Sequence, residues 1–188
     1  VLIPKKADAK TVGDFRLISL PHSFSKLFTK VLATRARARM PEIVSVNQSA
    51  FIKGRCIHDN YLLVRQVARK VFKTKEHGLF LKLDISRAFE SLSWPFLFEF
   101  MRAKDFGPRW LKWVATILAT ASIKVIVNGV PGRTIYHAQG LRQGDPLSPL
   151  LFVLAADLLQ SVMNEAMNNN LIAKPLPGHP CPDFPVIQ

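Results

Sequence analysis

Asp84 closes an apolar run, LFLKLDI at 79–85, that begins after Gly78. Such a run reads as a short buried strand. A carboxylate at a strand's end is held still by sheet geometry. Hard Mg²⁺ prefers oxygen ligands, so Asp84 suits two-metal phosphoryl transfer. It can equally open the next turn. Phe89 lies five residues later. Between them, Ile85, Ser86, Arg87 and Ala88 turn the chain under the strand end, where backbone N–H groups can face a phosphate. An aromatic ring there can sit under a sugar or simply join the core.

A second group of residues sits in GLRQGDPLSP, Gly140 to Pro149. Two glycines and two prolines stiffen this loop, which would present Gln143, while Gly144 lets a ligand approach the backbone. A rigid helix-capping loop is the plainer reading. Near the start, Lys5 and Arg16 flank a polar loop. Lysine offers phosphate a point charge and arginine a fork, although either alone suits a solvated surface. In NQSAFIKGR, Asn47 to Arg55, amides (Gln48 among them), a phenylalanine, Lys53 and Arg55 surround Gly54. That mixture suits a nucleic-acid strand through stacking and neutralisation, or a plain basic turn. The five histidines show no metal-ligand spacing, and His179 and Cys181 among prolines do not make a zinc site. No Walker loop, dinucleotide fingerprint or nucleophile elbow is present.

These residues need elements to hold them. Residues 1–3 read as a strand ended by Pro4, and 15–20 as an extended segment. Phe24, Leu27, Phe28, Val31 and Leu32 have helical spacing from 22 to about 39, with Pro41 after the stop. Tyr61, Val64, Ala68, Val71 and Phe72 form another helical stripe over 58–75, crowded by Arg65, Arg69, Lys70 and Lys73. Ser93 and Pro95 open a helix to about Lys104. Gly107-Pro108 opens the next, to about 120. Residues 122–127 alternate, Asn128-Gly129 signals a hairpin, and 133–137 return. Ser148-Pro149 starts a long buried helix to about 168. Five prolines make 174–185 an extended loop. The class is α+β.

The chain has 188 residues, 48% of them apolar, enough for a sizeable core. Its net charge is +13, unevenly spread. Residues 1–82 hold 17 basic and 5 acidic side chains, whereas 83–188 hold 9 and 8. That asymmetry points to a polyanion, most simply nucleic acid. Two cysteines exclude a disulfide framework. The longest apolar runs are broken by Lys124 and Asp157, short of the roughly 20 residues a membrane span needs, so no membrane partner is expected. Val1 is not an initiator methionine and no targeting signal is visible, so the chain reads as a piece of a longer protein.

In order and spacing, these segments resemble a reverse transcriptase of the non-LTR (LINE-type) retrotransposon branch, closest to plant elements. IPKK and DFRLISL, then NQSAFIKGRCIHDN, are similar to the fingers motifs. LDISRAFESLSW resembles the palm motif with the first catalytic aspartate. QGLRQGDPLSPLLFVLAADLL resembles the motif that holds the incoming nucleotide and template base.

The resemblance implies a right-hand polymerase without its thumb: fingers over 1–78, partial palm over 79–173, and a proline-rich approach to a missing hairpin over 174–188. It implies RNA-directed DNA synthesis with two Mg²⁺ ions (Mn²⁺ as an alternative), an RNA template, a DNA primer and dNTP. Asp84 is then the catalytic metal ligand, helped by the Ile85 carbonyl. Phe89 is the gate against a ribose 2′-OH, and Gln143 and Gly144 line the nucleotide pocket. Lys5 and Arg16 meet the triphosphate, and Gln48, Lys53 and Arg55 follow the template. The rest of a parent polyprotein is a further partner, and the location is intracellular, in nucleus and cytoplasm.

Departures accompany the match. Leu17 stands where proline is usual and Glu90 where aspartate is usual. The family's aromatic-x-Asp-Asp sequence is absent, since no Asp-Asp pair occurs. Asp84 alone offsets little of the charge of two metal ions, so the chain by itself is expected to be inactive. A non-catalytic nucleic-acid-binding remnant and an intron maturase are the alternatives.

Overall fold

Among the described residues, the spacing of apolar residues becomes five α-helices, and segments 122–127 and 130–136 become a hairpin. The computed structural model describes residues 2–17, 22–127 and 129–173. Expectations for Ile18–Leu20, for Asn128 and for the proline-rich loop lie outside them. The chain divides into two compact units, one of residues 1–35 and 87–152, the other of 36–86 and 153–188. Helices α1 (Ser23–Ile43) and α5 (Ser148–Asn168) contribute to both.

The first unit opens with two short antiparallel strands, β1 (Leu2–Pro4) and β2 (Phe15–Leu17), with Ile3 opposite Arg16. Helix α3 (Trp94–Ala103) follows Ser93 with Pro95 in its first turn. Helix α4 (Pro108–Ala119) starts on proline after Gly107. Proline suits that place because its missing N–H has no intrahelical role there. Leu97, Phe100 and Met101 are buried on α3 and Val114 and Leu118 on α4, at the three- and four-residue spacing of one helix face. Strands β3 (Ser122–Val127) and β4 (Val130–Tyr136) pair antiparallel, with Val127 opposite Val130. The return strand therefore begins at the turn itself, three residues before the sequence expectation of 133.

The second unit contains α2 (Ile57–Thr74), which fully buries no side chain. Met40, Val44 and Ile52 are buried here, with Val153 and Leu154 of α5. Three expectations need correction. Helix α1 does not stop before Pro41 but runs through it to Ile43. Proline's fixed φ is helical and costs only one bond so near the end. The Val44 N–H still reaches the Met40 carbonyl.

The second correction concerns 79–85, which is neither strand nor buried: Leu79 is 92% exposed and Ile85 58%. A strand exists by pairing, and no strand among the described residues lies beside this one. The third concerns α5. By length and composition it could cross a membrane, because its two charges, Asp157 and Glu165, are averaged away over its length. Leu150, Leu154, Asp157 and Gln160 are buried on it, whereas Leu159 and Val162 are exposed.

Candidate functional site

Residues 86–90 form the expected turn. Arg87 takes a left-handed φ of 53°, and its carbonyl accepts the N–H groups of Glu90 and Ser91. Phe89 is half-buried and stacks on Phe152 of α5, ring centres 5.0 Å apart. Its carbonyl accepts the Leu141 N–H at 2.6 Å. One residue earlier, the Gly140 N–H donates to the Leu92 carbonyl at 2.8 Å. The Trp94 indole N–H closes the clamp on the Gly140 carbonyl at 2.7 Å.

The Phe89 turn and the loop carrying Gln143 are thus joined through their backbones. Gln143 and Gly144 form a turn immediately beyond the clamp, Gln143 half-buried and Gly144 exposed. Asp145 is buried, and its Oδ1 accepts the Leu147 N–H at 2.8 Å. That bond fixes the route from the turn into α5. His137, just before the loop, is held below the ordinary histidine pKa by burial first and the nearby Arg142 charge second.

Lys5 is exposed, and its ammonium donates to the Gly13 carbonyl at 2.9 Å, folding it back on its own loop. Arg16 lies on β2 opposite Ile3. Asp14 organises this loop. Its carboxylate accepts the Thr11 N–H (2.9 Å), the Thr11 hydroxyl (2.9 Å) and the Lys10 N–H (3.1 Å), and pairs with Lys6 at 3.0 Å. These donors, the Thr11 N–H foremost and Lys6 next, hold its carboxyl well below the usual range. A depressed carboxyl stabilises the fold above its unfolded pKa, and the contribution is lost as pH falls through the folded value. The NMR shifts of the Lys10 and Thr11 amides are therefore expected to stay constant through the pH at which ordinary carboxylates titrate, and to move only below it. Movement together with the ordinary carboxylates would contradict this.

In the second unit, Asp84 and Ile85 lie exposed in the extended segment before the turn. Their oxygens are of the right kind for a hard divalent ion. Their number is not: such an ion takes about six ligands, and no three His, Cys, Asp or Glu side chains converge among the described residues. This pair alone does not hold a metal.

The loop after α1 is better built. The Ser45 N–H donates to Asp157 Oδ1 at 2.9 Å, and the Asn47 amide donates to Gln160 Oε1 at 2.6 Å. Asn60 of α2 donates to the Asn47 carbonyl (2.8 Å) and the Ser49 hydroxyl (2.9 Å). Gln48 is buried, its Oε1 accepting the Ala50 N–H. The Arg55 guanidinium donates to the carbonyls of Ser45, Gln48 and Pro41. In this arrangement Gln48 and Arg55 shape the loop, and Lys53 is the exposed cation among the three.

Sequence reasoning did not single out Trp94, Asn60, Asp157 or Gln160. The signal available for Asp157 and Gln160 was a charge and an amide on an otherwise apolar helix face, which requires partners. Trp94 and Asn60 carried no such signal.

Comparison with known proteins agrees with the motif order. The family model described as reverse transcriptase (RNA-dependent DNA polymerase) matches residues 3–173. A 149 kDa protein of transposon TX1 from Xenopus laevis is 28% identical over 93% of this chain and 13% of its own length. The retrovirus-related Pol polyprotein of the type-2 retrotransposable element R2DM from Drosophila melanogaster is 32% identical over 88% of the chain and 16% of its own length. A Pol polyprotein of a type-1 element R2 from Nasonia vitripennis is 29% identical over 84% and 15% respectively. The chain thus spans well under a fifth of each of these relatives. With a family model matching nearly its whole length, and with the Phe89 turn clamped to the Gln143 loop, the chain belongs to the reverse transcriptase family.

Proposed function

We propose that this segment is the fingers and part of the palm of a retrotransposon polymerase that copies RNA into DNA. The observation that supports the reading is the backbone bond between Leu141 and Phe89, which ties the loop carrying Gln143 and Gly144 to the Phe89 turn. A ring and an amide presented together suit the sugar and base of an incoming dNTP. Lys5 and Arg16 supply cationic contacts for its triphosphate. Lys53, on a loop shaped by Gln48 and Arg55, meets the RNA template.

Reverse transcriptases use divalent metals. Here Asp84 and the Ile85 carbonyl are assigned as two of the oxygen ligands of a Mg²⁺ site that takes further carboxylates. The partners are template, primer and the rest of a Pol-type polyprotein. The working compartments are the nucleus, where DNA is the target, and the cytoplasm, where the protein is made.

The test is sugar selection by the full-length protein in RNA-templated primer extension. Phe89→Ala is expected to raise ribonucleotide incorporation by about tenfold or more, since a lost steric contact of 1–3 kcal/mol spans that range. Unchanged selection would remove Phe89 from the sugar site.

A further inference from the structure

Phe51 lies at the tip of the loop held by Asp157, Gln160 and Asn60, and it breaks two rules at once. It is 59% exposed, and its φ is 60°. Left-handed backbone is unfavourable for a residue with a Cβ, and a large apolar ring in water has no burial to offset it. Strained residues persist where their surroundings over-determine them, and such places cluster at ligand clamps.

Here the surroundings are explicit. Asn47, Gln48 and Ser49 before Phe51 are buried and hydrogen-bonded, and Ile52 after it is 4% exposed. Arg55 ties the far side to three carbonyls. The loop is anchored on both flanks, and the ring is turned outward between them.

The neighbours give the occupant. Lys53 is exposed two residues on, and no acidic residue occurs between 43 and 58. Across 36–86 there are ten basic and four acidic residues, a net of +6. An exposed ring beside an exposed cation on a basic surface matches an unpaired nucleobase on its own phosphate chain. We infer that Phe51 is a stacking platform for one base of the single-stranded template, with Lys53 on an adjacent phosphate. This rests on the proposed template role of the loop and adds the residue that reads the base rather than the charge.

The experiment uses the full-length protein and two RNA oligonucleotides of equal length, one intact and one with a single abasic position stepped along its sequence. Phe51→Ala is expected to weaken intact RNA by about tenfold. It is also expected to abolish the penalty that the wild type shows for one abasic position. Phe51→Trp should retain affinity, and its added indole emission should be quenched on binding. Phe51→Gly relieves the backbone strain, so stability should hold or rise while affinity falls, whereas a merely structural role moves both the same way.

Lys53→Ala should instead lower the salt dependence of binding and keep the abasic penalty. If Lys53→Ala weakens RNA and Phe51→Ala does not, the stacking inference is overturned and the template loop stands. If neither changes binding, the template role of the loop falls as well.

Discussion

Asp84→Asn in the full-length protein is expected to reduce primer extension at least about a thousandfold, equivalent to about 4 kcal/mol of transition-state stabilisation. Template binding should be unchanged. The substitution keeps size and shape and removes one negative charge. At the proposed Mg²⁺ site that charge would help hold a hard divalent ion, which would supply electrostatic stabilisation of the transferred phosphoryl group. Asp84 is exposed, with no hydrogen bond or ion pair to another described residue, so stability should be within experimental error of the parent. Retained extension with Asp84→Asn would take the residue out of the metal site. The assay uses the full-length protein, because these 188 residues contain no Asp-Asp pair.

Gly140→Ala is expected to be the most damaging single-methyl change in the chain. A Cβ at that position would lie 2.5 Å from the Glu90 carbonyl oxygen and 2.9 Å from its Cα. Those are backbone atoms and cannot swing aside. The glycine's φ of 79° adds strain for any residue with a side chain. Left-handed strain of about 1–2 kcal/mol and overpacking of about 1–3 kcal/mol put the cost at roughly 2–5 kcal/mol. The clamp must open to admit the methyl, so the Leu141–Phe89 and Trp94–Gly140 bonds are lost together. Urea unfolding should show the loss, and nucleotide KM in the full-length protein should rise with it. Gly129→Ala is the control: its φ is 81°, but nothing lies within 4 Å of the added carbon, so only the conformational part should appear. Equal effects at the two positions would refute the clamp as the cause.

Periodicity was enough for α3 to α5, because their starts coincide with Ser93, Gly107-Pro108 and Ser148; α2 was legible from its stripe alone, and the hairpin from Gly129 except for the start of its return strand. The run 79–85 was misread because an apolar sequence states a need for burial and does not state the partner. Pro41 misled in the other direction: a rule for helix interiors was applied to a last turn, and the Arg55 guanidinium at the Pro41 carbonyl is a contact no local pattern announces. At the site, the joining of Phe89 to the Gln143 loop follows from motif order only through family resemblance. The bond itself connects residues 52 positions apart. Arg55 and Gln48 show the limit of reading by residue type. A guanidinium suited to phosphate is equally suited to three carbonyls, and residue type does not choose between them.

The bonds from Ser45 to Asp157 and from Asn47 to Gln160 span 112 and 113 residues of chain. Such contacts carry the closure entropy of everything between them, so they form late in folding. During synthesis, at about 5–20 residues per second, the 45–55 loop leaves the ribosome roughly 5–20 s before the helix that anchors it. Until α5 arrives, the loop has its local bonds from Arg55 and Asn60 but lacks those to Asp157 and Gln160. On the proposed template role, the loop would reach its full geometry, and with it its RNA affinity, only as α5 docks, long after its own residues have been made.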